Sequence, residues 1–79
     1  MLFKEAVSKR ILELCDNNKI NPNRLAEIST VPPSTLRDII SCKVNNPSSY
    51  VIYQICKALK ISIIEFYDSE LFNFNNLKD

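Results

Sequence analysis

The chain has 79 residues and a mass of 9.1 kDa, enough for one small domain and too little for two. Hydrophobic residues make up 46% and charged residues 24%, a globular balance that excludes a disordered chain. Glycine and histidine are both absent, which excludes glycine-rich nucleotide loops and removes the commonest general base and metal ligand. We therefore expect no enzyme, no metal site and no cofactor.

The three cysteines, Cys15, Cys42 and Cys56, are scattered and form no CxxC pair. An odd number of scattered cysteines is typical of free thiols in a reducing compartment, and we expect Cys15 and Cys56 to lie in the core. No apolar run approaches the roughly 20 residues needed to cross a bilayer, and no signal peptide is recognised. The expectation is a soluble cytoplasmic protein that makes no contact with a membrane.

The net charge of +1 is unevenly distributed along the chain. Residues 19–60 contain six basic and two acidic side chains, a net charge of +4, whereas the chain from Asp68 onward has a net charge of −2. A basic middle is compatible with nucleic acid, and it is equally typical of an ordinary solvated surface.

The first predicted helix covers residues 3–16, where apolar residues recur every three or four positions. Asn17 and Asn18 are expected to end it, because asparagine tolerates the left-handed conformation. Asn21 as a cap and Pro22 at the first position predict a second helix that ends near residue 29. Its inward side chains are predicted to be Leu25, Ala26 and Ile28.

A third helix is predicted from Pro33 to about residue 41, because Pro33 pushes Pro32 out of the helical conformation. Its inward side chains are Leu36, Ile39 and Ile40. The opposite, outward stripe is polar, and its members follow helical spacing: Ser34, Arg37, Asp38 and Ser41.

Two further helices follow a polar loop at residues 43–49. The fourth has Ile52, Ile55, Cys56 and Leu59 on one face. The fifth begins at a capping box formed by Ser62 and Glu65, with Ile61 and Phe66 placed as a hydrophobic staple. Since no segment alternates as a strand would, the predicted fold class is all-α with five helices.

Residues 22–41 look like a helix-turn-helix unit, with Leu25 and Ala26 inside, Val31 at the turn and Leu36 and Ile39 inside. Together with Asn46-Pro47-Ser48 and the spacing of apolar residues up to Glu65-Phe66, the chain resembles the Cro/phage-repressor-type (xenobiotic-response-element) regulators over about residues 5–67. Where that family usually has glycine, this chain has Thr30, Cys42 and Lys60.

The resemblance implies a compact, lambda-repressor-like DNA-binding domain over residues 1–68, with the helix-turn-helix at helices two and three. Residues 69–79 form a tail that is either packed on the domain or part of a dimer contact. In this family the second helix of the unit enters the major groove. By position, the base-reading residues are Pro33, Ser34, Arg37 and Asp38.

Each of these side chains has a chemistry suited to base edges. Arg37 can donate to guanine O6 and N7, Ser34 can donate or accept, and Pro33 can touch a thymine methyl. Asp38 can accept from cytosine N4, or instead orient Arg37 or reject wrong sequences. The residues expected at backbone phosphates are Asn21, Asn23, Ser41, Lys43, Asn45 and Asn46.

The resemblance implies a sequence-specific regulator of transcription, most simply a repressor, that binds a double-stranded operator as a homodimer. Phe72 and Phe74 in the tail are candidates for the subunit contact. The alternative is a protein-interaction module on the same scaffold, an antagonist or antitoxin-like partner of another regulator with weak or no DNA binding. The negative charge of Asp38 offsets the positive charge of Arg37, so this helix is poorly basic, which keeps the alternative open. Asparagine, lysine and isoleucine usage resembles low-GC bacterial and phage-like chains.

Overall fold

A computed structural model describes all 79 residues, and it contains five α-helices and no strand, as the sequence predicts. The helices are α1 (Phe3–Asn17), α2 (Pro22–Ser29), α3 (Pro33–Ile40), α4 (Ser49–Leu59) and α5 (Ile63–Tyr67). Two short 3₁₀ turns, Glu70–Phe72 and Phe74–Asn76, follow α5. None of the helices is both long and apolar enough to cross a membrane.

Side-chain caps begin three of the helices. The side-chain oxygen of Asn21 accepts a hydrogen bond from the Arg24 N–H at 2.8 Å, and Ser48 Oγ accepts from Val51 at 3.1 Å. Ser62 and Glu65 form the predicted capping box that begins α5. These caps satisfy backbone donors that the first turn of a helix leaves unpaired, so local sequence determines where these helices begin.

Four residues other than glycine adopt positive φ: Lys19, Thr30, Cys42 and Lys60, at 55°, 59°, 63° and 59°. The last three are the positions at which the resembled family usually has glycine. As predicted, α1 ends at Asn17 and Asn18, but the expectation that they take the left-handed conformation is wrong. Asn17 is the last residue of α1, Asn18 has φ −97°, and Lys19 takes the left-handed conformation. The Asn18 amide instead donates to the Leu14 carbonyl at 2.7 Å, which caps the helix from the side chain.

The core is one cluster of 13 buried residues drawn from all five helices and the turn after α2. On α2, Leu25 and Ala26 are buried as predicted, but Ile28 is 36% exposed and Ser29 is buried in its place. Ser29 can be buried because its hydroxyl donates to the Leu25 carbonyl at 2.6 Å, so no polar group is left unpaired. Ile40, also predicted to face inward, is only partly buried.

Cys15 and Cys56 are buried free thiols, as predicted, and Cys42 is half-buried. Burial raises the pKa of both Cys15 and Cys56 above the ordinary thiol value, because the interior disfavours the thiolate. Both therefore act as small apolar side chains in the core.

The tail packs back on the start of α1. Phe72 lies among Phe3, Phe66 and Tyr67, with ring centroids 4.9–6.1 Å apart. The Lys78 N–H donates to the Met1 carbonyl at 2.9 Å, which ties the backbone of the tail to the first residue. The tail is therefore packed and not solvated, and its aromatic residues extend the core beside α1 and α5.

Replacing Lys60 by glycine is expected to stabilise the domain by about 0.5–1 kcal/mol. The left-handed conformation costs a residue with a Cβ about 1–2 kcal/mol, and the extra freedom of glycine in the unfolded chain offsets only part of that gain. Thermal unfolding measures this gain, and the midpoint of the glycine variant should lie several degrees above that of the wild type.

Lys57→Gly is the matched control, because Lys57 is also an exposed lysine but lies within α4. That variant is expected to lose about 1 kcal/mol. Destabilisation by both substitutions would show that the left-handed turn at Lys60 is not a source of strain.

Candidate nucleic-acid interface

Helices α2 and α3 form a helix-turn-helix whose crossing is close because Ala26 is small. Ala26 and Leu36 are 2% and 1% exposed, and Val31 in the turn is 1% exposed. Thr30 turns the chain at φ 59°, and Pro32 is extended at ψ 135° before Pro33 begins α3. This turn fixes the direction in which α3 leaves α2, and thereby which face of α3 meets solvent.

The outward face of α3 bears the side chains that the sequence predicted for base reading. Pro33, Ser34 and Arg37 are exposed, and Asp38 is half-buried. The Arg37 guanidinium group makes no hydrogen bond within the protein, and the two ion pairs of the structure are Arg10–Glu13 and Arg24–Glu27. Asp38 therefore does not orient Arg37 in this structure, and all the donors of Arg37 are available to a ligand.

A groove between α2 and α3 brings one residue predicted at phosphates beside two residues predicted for base reading. Pro22 and Asn23 from the first turn of α2 line it on one side, and Pro33, Arg37 and Ile40 from α3 line it on the other. Leu36 and Ala26 complete its lining. Asn23, which the sequence predicts to contact a phosphate, thus lies beside Arg37, which it predicts to contact a base.

The start of α2 leaves two backbone N–H groups without a partner, those of Asn21 and Asn23. The Arg24 N–H is bound by the Asn21 side chain, the Leu25 N–H donates to the Asn21 carbonyl at 3.0 Å, and Pro22 has no N–H. The Asn21 cap that begins the helix thus occupies the Arg24 N–H and leaves the N–H groups of Asn21 and Asn23 available to a ligand.

The segment between α3 and α4 contains the other predicted phosphate contacts, and all four are exposed: Ser41, Lys43, Asn45 and Asn46. The Lys43 and Asn46 side chains make no hydrogen bond. The Lys43 N–H donates to the Asp38 carbonyl at 2.9 Å, which holds the end of α3 in place. The Asn45 side-chain oxygen accepts from Lys4 Nζ at 3.0 Å, a contact across 41 positions of the chain.

A second exposed surface, which we call the α2–α4 patch, consists of Ile28, Tyr50 and Tyr53. These residues are 36%, 66% and 44% exposed, and the two tyrosine rings stack with centroids 6.0 Å apart. The sequence analysis missed this patch. The i, i+3 spacing of two tyrosines on one face of α4 is a signal that could have revealed it.

Two more apolar surfaces are exposed. Ile63 and Ile64 on α5 are 48% and 82% exposed, and Phe74 in the tail is 91% exposed. Of the two predicted dimer candidates, Phe74 is thus open to a partner, whereas Phe72 is engaged inside its own chain. No group of three or more histidine, cysteine, aspartate or glutamate side chains is placed to hold a metal ion.

The family model of the Cro/C1-type HTH DNA-binding domain matches residues 10–70, which include all of α2 to α5 and the second half of α1. No curated protein and no solved structure matches the chain.

Asn21 and Asn23 should respond differently to substitution by alanine, because only Asn21 caps α2. Asn21→Ala is expected to cost about 1 kcal/mol of stability, since it leaves the Arg24 N–H unpaired. Asn23→Ala, at an exposed position whose side chain makes no hydrogen bond, should change stability by less than about 0.5 kcal/mol. Urea unfolding of the two variants measures the difference, and equal destabilisation would contradict the assignment of the cap.

Proposed function

The chain belongs to the Cro/C1-type HTH DNA-binding domain family, and from this premise we propose that it is a sequence-specific regulator of transcription that inserts α3 into the major groove of duplex DNA. Domains of this family are DNA-binding regulators and are typically non-enzymatic. The observation that supports the proposal best is the exposed Arg37, whose guanidinium group has no partner on a helix face that is otherwise small and polar.

The dimensions and chemistry of α3 suit the major groove. A helix with its side chains is about 10–12 Å across, close to the width of the groove, and Pro33 and Ser34 at the start of α3 add little bulk. Arg37 would read guanine through O6 and N7, the commonest specific contact. Asp38 is half-buried beside it and would accept from cytosine N4 or repel sequences that place a phosphate or carbonyl there.

Polar groups on both sides of this face would hold the backbone. Asn23 lies across the groove from α3, and Asn21 precedes it as the cap of α2. Beyond the end of α3 lie Ser41, Lys43, Asn45 and Asn46. Few of these groups are charged, so one protomer should bind with modest affinity and a shallow dependence on salt. Contacts of this kind fix position and contribute little sequence information.

One α3 reads only a few base pairs, so useful specificity calls for two copies on half-sites about 34 Å apart. Phe74 and the exposed residues of α5 are the apolar surfaces available for such a dimer. The simplest regulator of this kind is a repressor that covers its operator. It would act where bacterial DNA lies, in the cytoplasm.

Selection of bound duplexes from a random library, followed by two substitutions, tests the proposal. Wild-type protein should enrich an inverted repeat with half-sites about one turn apart. On that duplex, Arg37→Ala should relax the base preference at one position of each half-site, at a cost of about 1–3 kcal/mol.

Lys43→Ala is the matched control, because it removes a positive charge outside the base-reading face. It should weaken all duplexes alike and leave the base preference unchanged. Failure of the folded wild-type protein to enrich any sequence would overturn the proposal.

The α2–α4 patch supports a second candidate function, an interaction module that pairs with another regulatory protein. Exposed tyrosines beside an isoleucine are typical of protein contacts rather than of a solvated helix face. If this is the main role, Tyr53→Ser should abolish binding of the partner protein, while Arg37→Ala should leave it unchanged.

A further inference from the structure

Lys4 lies outside the helix-turn-helix, yet three contacts place the start of α1 against the segment that leaves α3. Its ammonium group donates to the Asn45 side-chain oxygen at 3.0 Å. The Lys4 carbonyl lies 3.8 Å from Cys42 Sγ, and the buried Ser8 hydroxyl donates to the Ile40 carbonyl at 2.6 Å. Successive turns of α1 therefore hold both the last turn of α3 and the loop beyond it.

The positive charge of Lys4 is not neutralised within the protein. Lys4 forms no ion pair, since the two present are Arg10–Glu13 and Arg24–Glu27. The two carboxylates at this end of α1 are engaged elsewhere: Glu5 accepts from the Leu2 N–H at 2.7 Å and Asp79 accepts from the Phe3 N–H at 2.9 Å. The partner that Lys4 does have is a neutral amide, which leaves its charge available to an anion.

The contact also determines which way the Asn45 amide faces. An ammonium group has only donors, so it can bind only the oxygen of the amide. The amide nitrogen of Asn45, with its two donors, makes no hydrogen bond in the protein, and the residue is exposed. Two kinds of donor that suit phosphate oxygens, an ammonium and an amide N–H₂, are thus placed side by side.

We propose that Lys4 is a phosphate-binding residue of the DNA interface, contributed by α1, and that it also orients Asn45 so that its amide N–H₂ group faces the same stretch of DNA backbone. This inference rests on the proposed function and extends its interface beyond α2, α3 and the following loop. Lys4 and Lys43 would then supply the two cations at the end of the recognition helix.

The dependence of DNA affinity on salt tests this directly, because every phosphate that the protein neutralises adds a fixed share to that dependence. A rise from about 50 mM to about 200 mM salt weakens binding by about 3.5-fold for each neutralised phosphate. The ratio of wild-type to Lys4→Met affinity should therefore be about 3.5 times larger at the lower salt concentration. A role limited to packing would lower the affinity by the same factor at both concentrations.

Lys9→Met is the matched control, since Lys9 is an exposed lysine one to two turns along α1 whose side chain makes no hydrogen bond. It should leave both the affinity and the salt dependence close to wild type. Lys4→Arg should retain the salt dependence. Lys4→Gln can still donate to Asn45 but lacks the charge, so it should reduce the salt dependence as Lys4→Met does while keeping the stability of the wild type.

The measurements use the duplex enriched by wild-type protein together with an unrelated duplex, and the Lys4 effect should be the same on both. If wild-type protein binds but Lys4→Met and Lys4→Gln keep the wild-type salt dependence, this inference is wrong and the proposed function stands. If wild-type protein binds no duplex, the proposed function itself fails.

Discussion

The close crossing of α2 and α3 over Ala26 is the constraint on which the rest of the structure depends. Because Ala26 is small and Leu36 and Val31 are almost fully buried around it, the two helices approach until their first-turn residues share one groove. The left-handed Thr30 makes that turn possible at some cost, since it has a Cβ. Because one side of α3 packs against α2, the opposite side is left exposed to solvent.

The ability of this face to bind DNA depends on where its charges lie and not on the total charge of the chain. A chain with net charge +1 has no long-range attraction for DNA, so binding must depend on a few well-placed groups. Arg37 has no partner, Lys43 has none through its side chain, and Lys4 is bound only to an amide. Arg10 and Arg24, by contrast, are paired with glutamates, so these two cations are not free to meet an anion in the same way.

Features that depend on neighbours in sequence could be predicted, and those that depend on distant contacts could not. The caps at Asn21 and Ser62 could be predicted because they depend on two or three adjacent residues, and the five helices and the outward face of α3 followed from local spacing. Ile28 was misplaced because helical spacing alone does not show where α4 packs. Lys4 was missed because its partner lies 41 positions away and only the folded chain brings them together.

The central claim, that the outward face of α3 is the surface that meets DNA, can be tested most directly by a nuclear magnetic resonance titration. Labelled protein would be titrated with a duplex that it enriches, and shifts of the backbone amides would be followed residue by residue. We expect the largest changes at residues 33–46 and at Asn21 and Asn23, with little change at Tyr50 and Tyr53. Changes concentrated on the α2–α4 patch, with α3 unaffected, would contradict the claim.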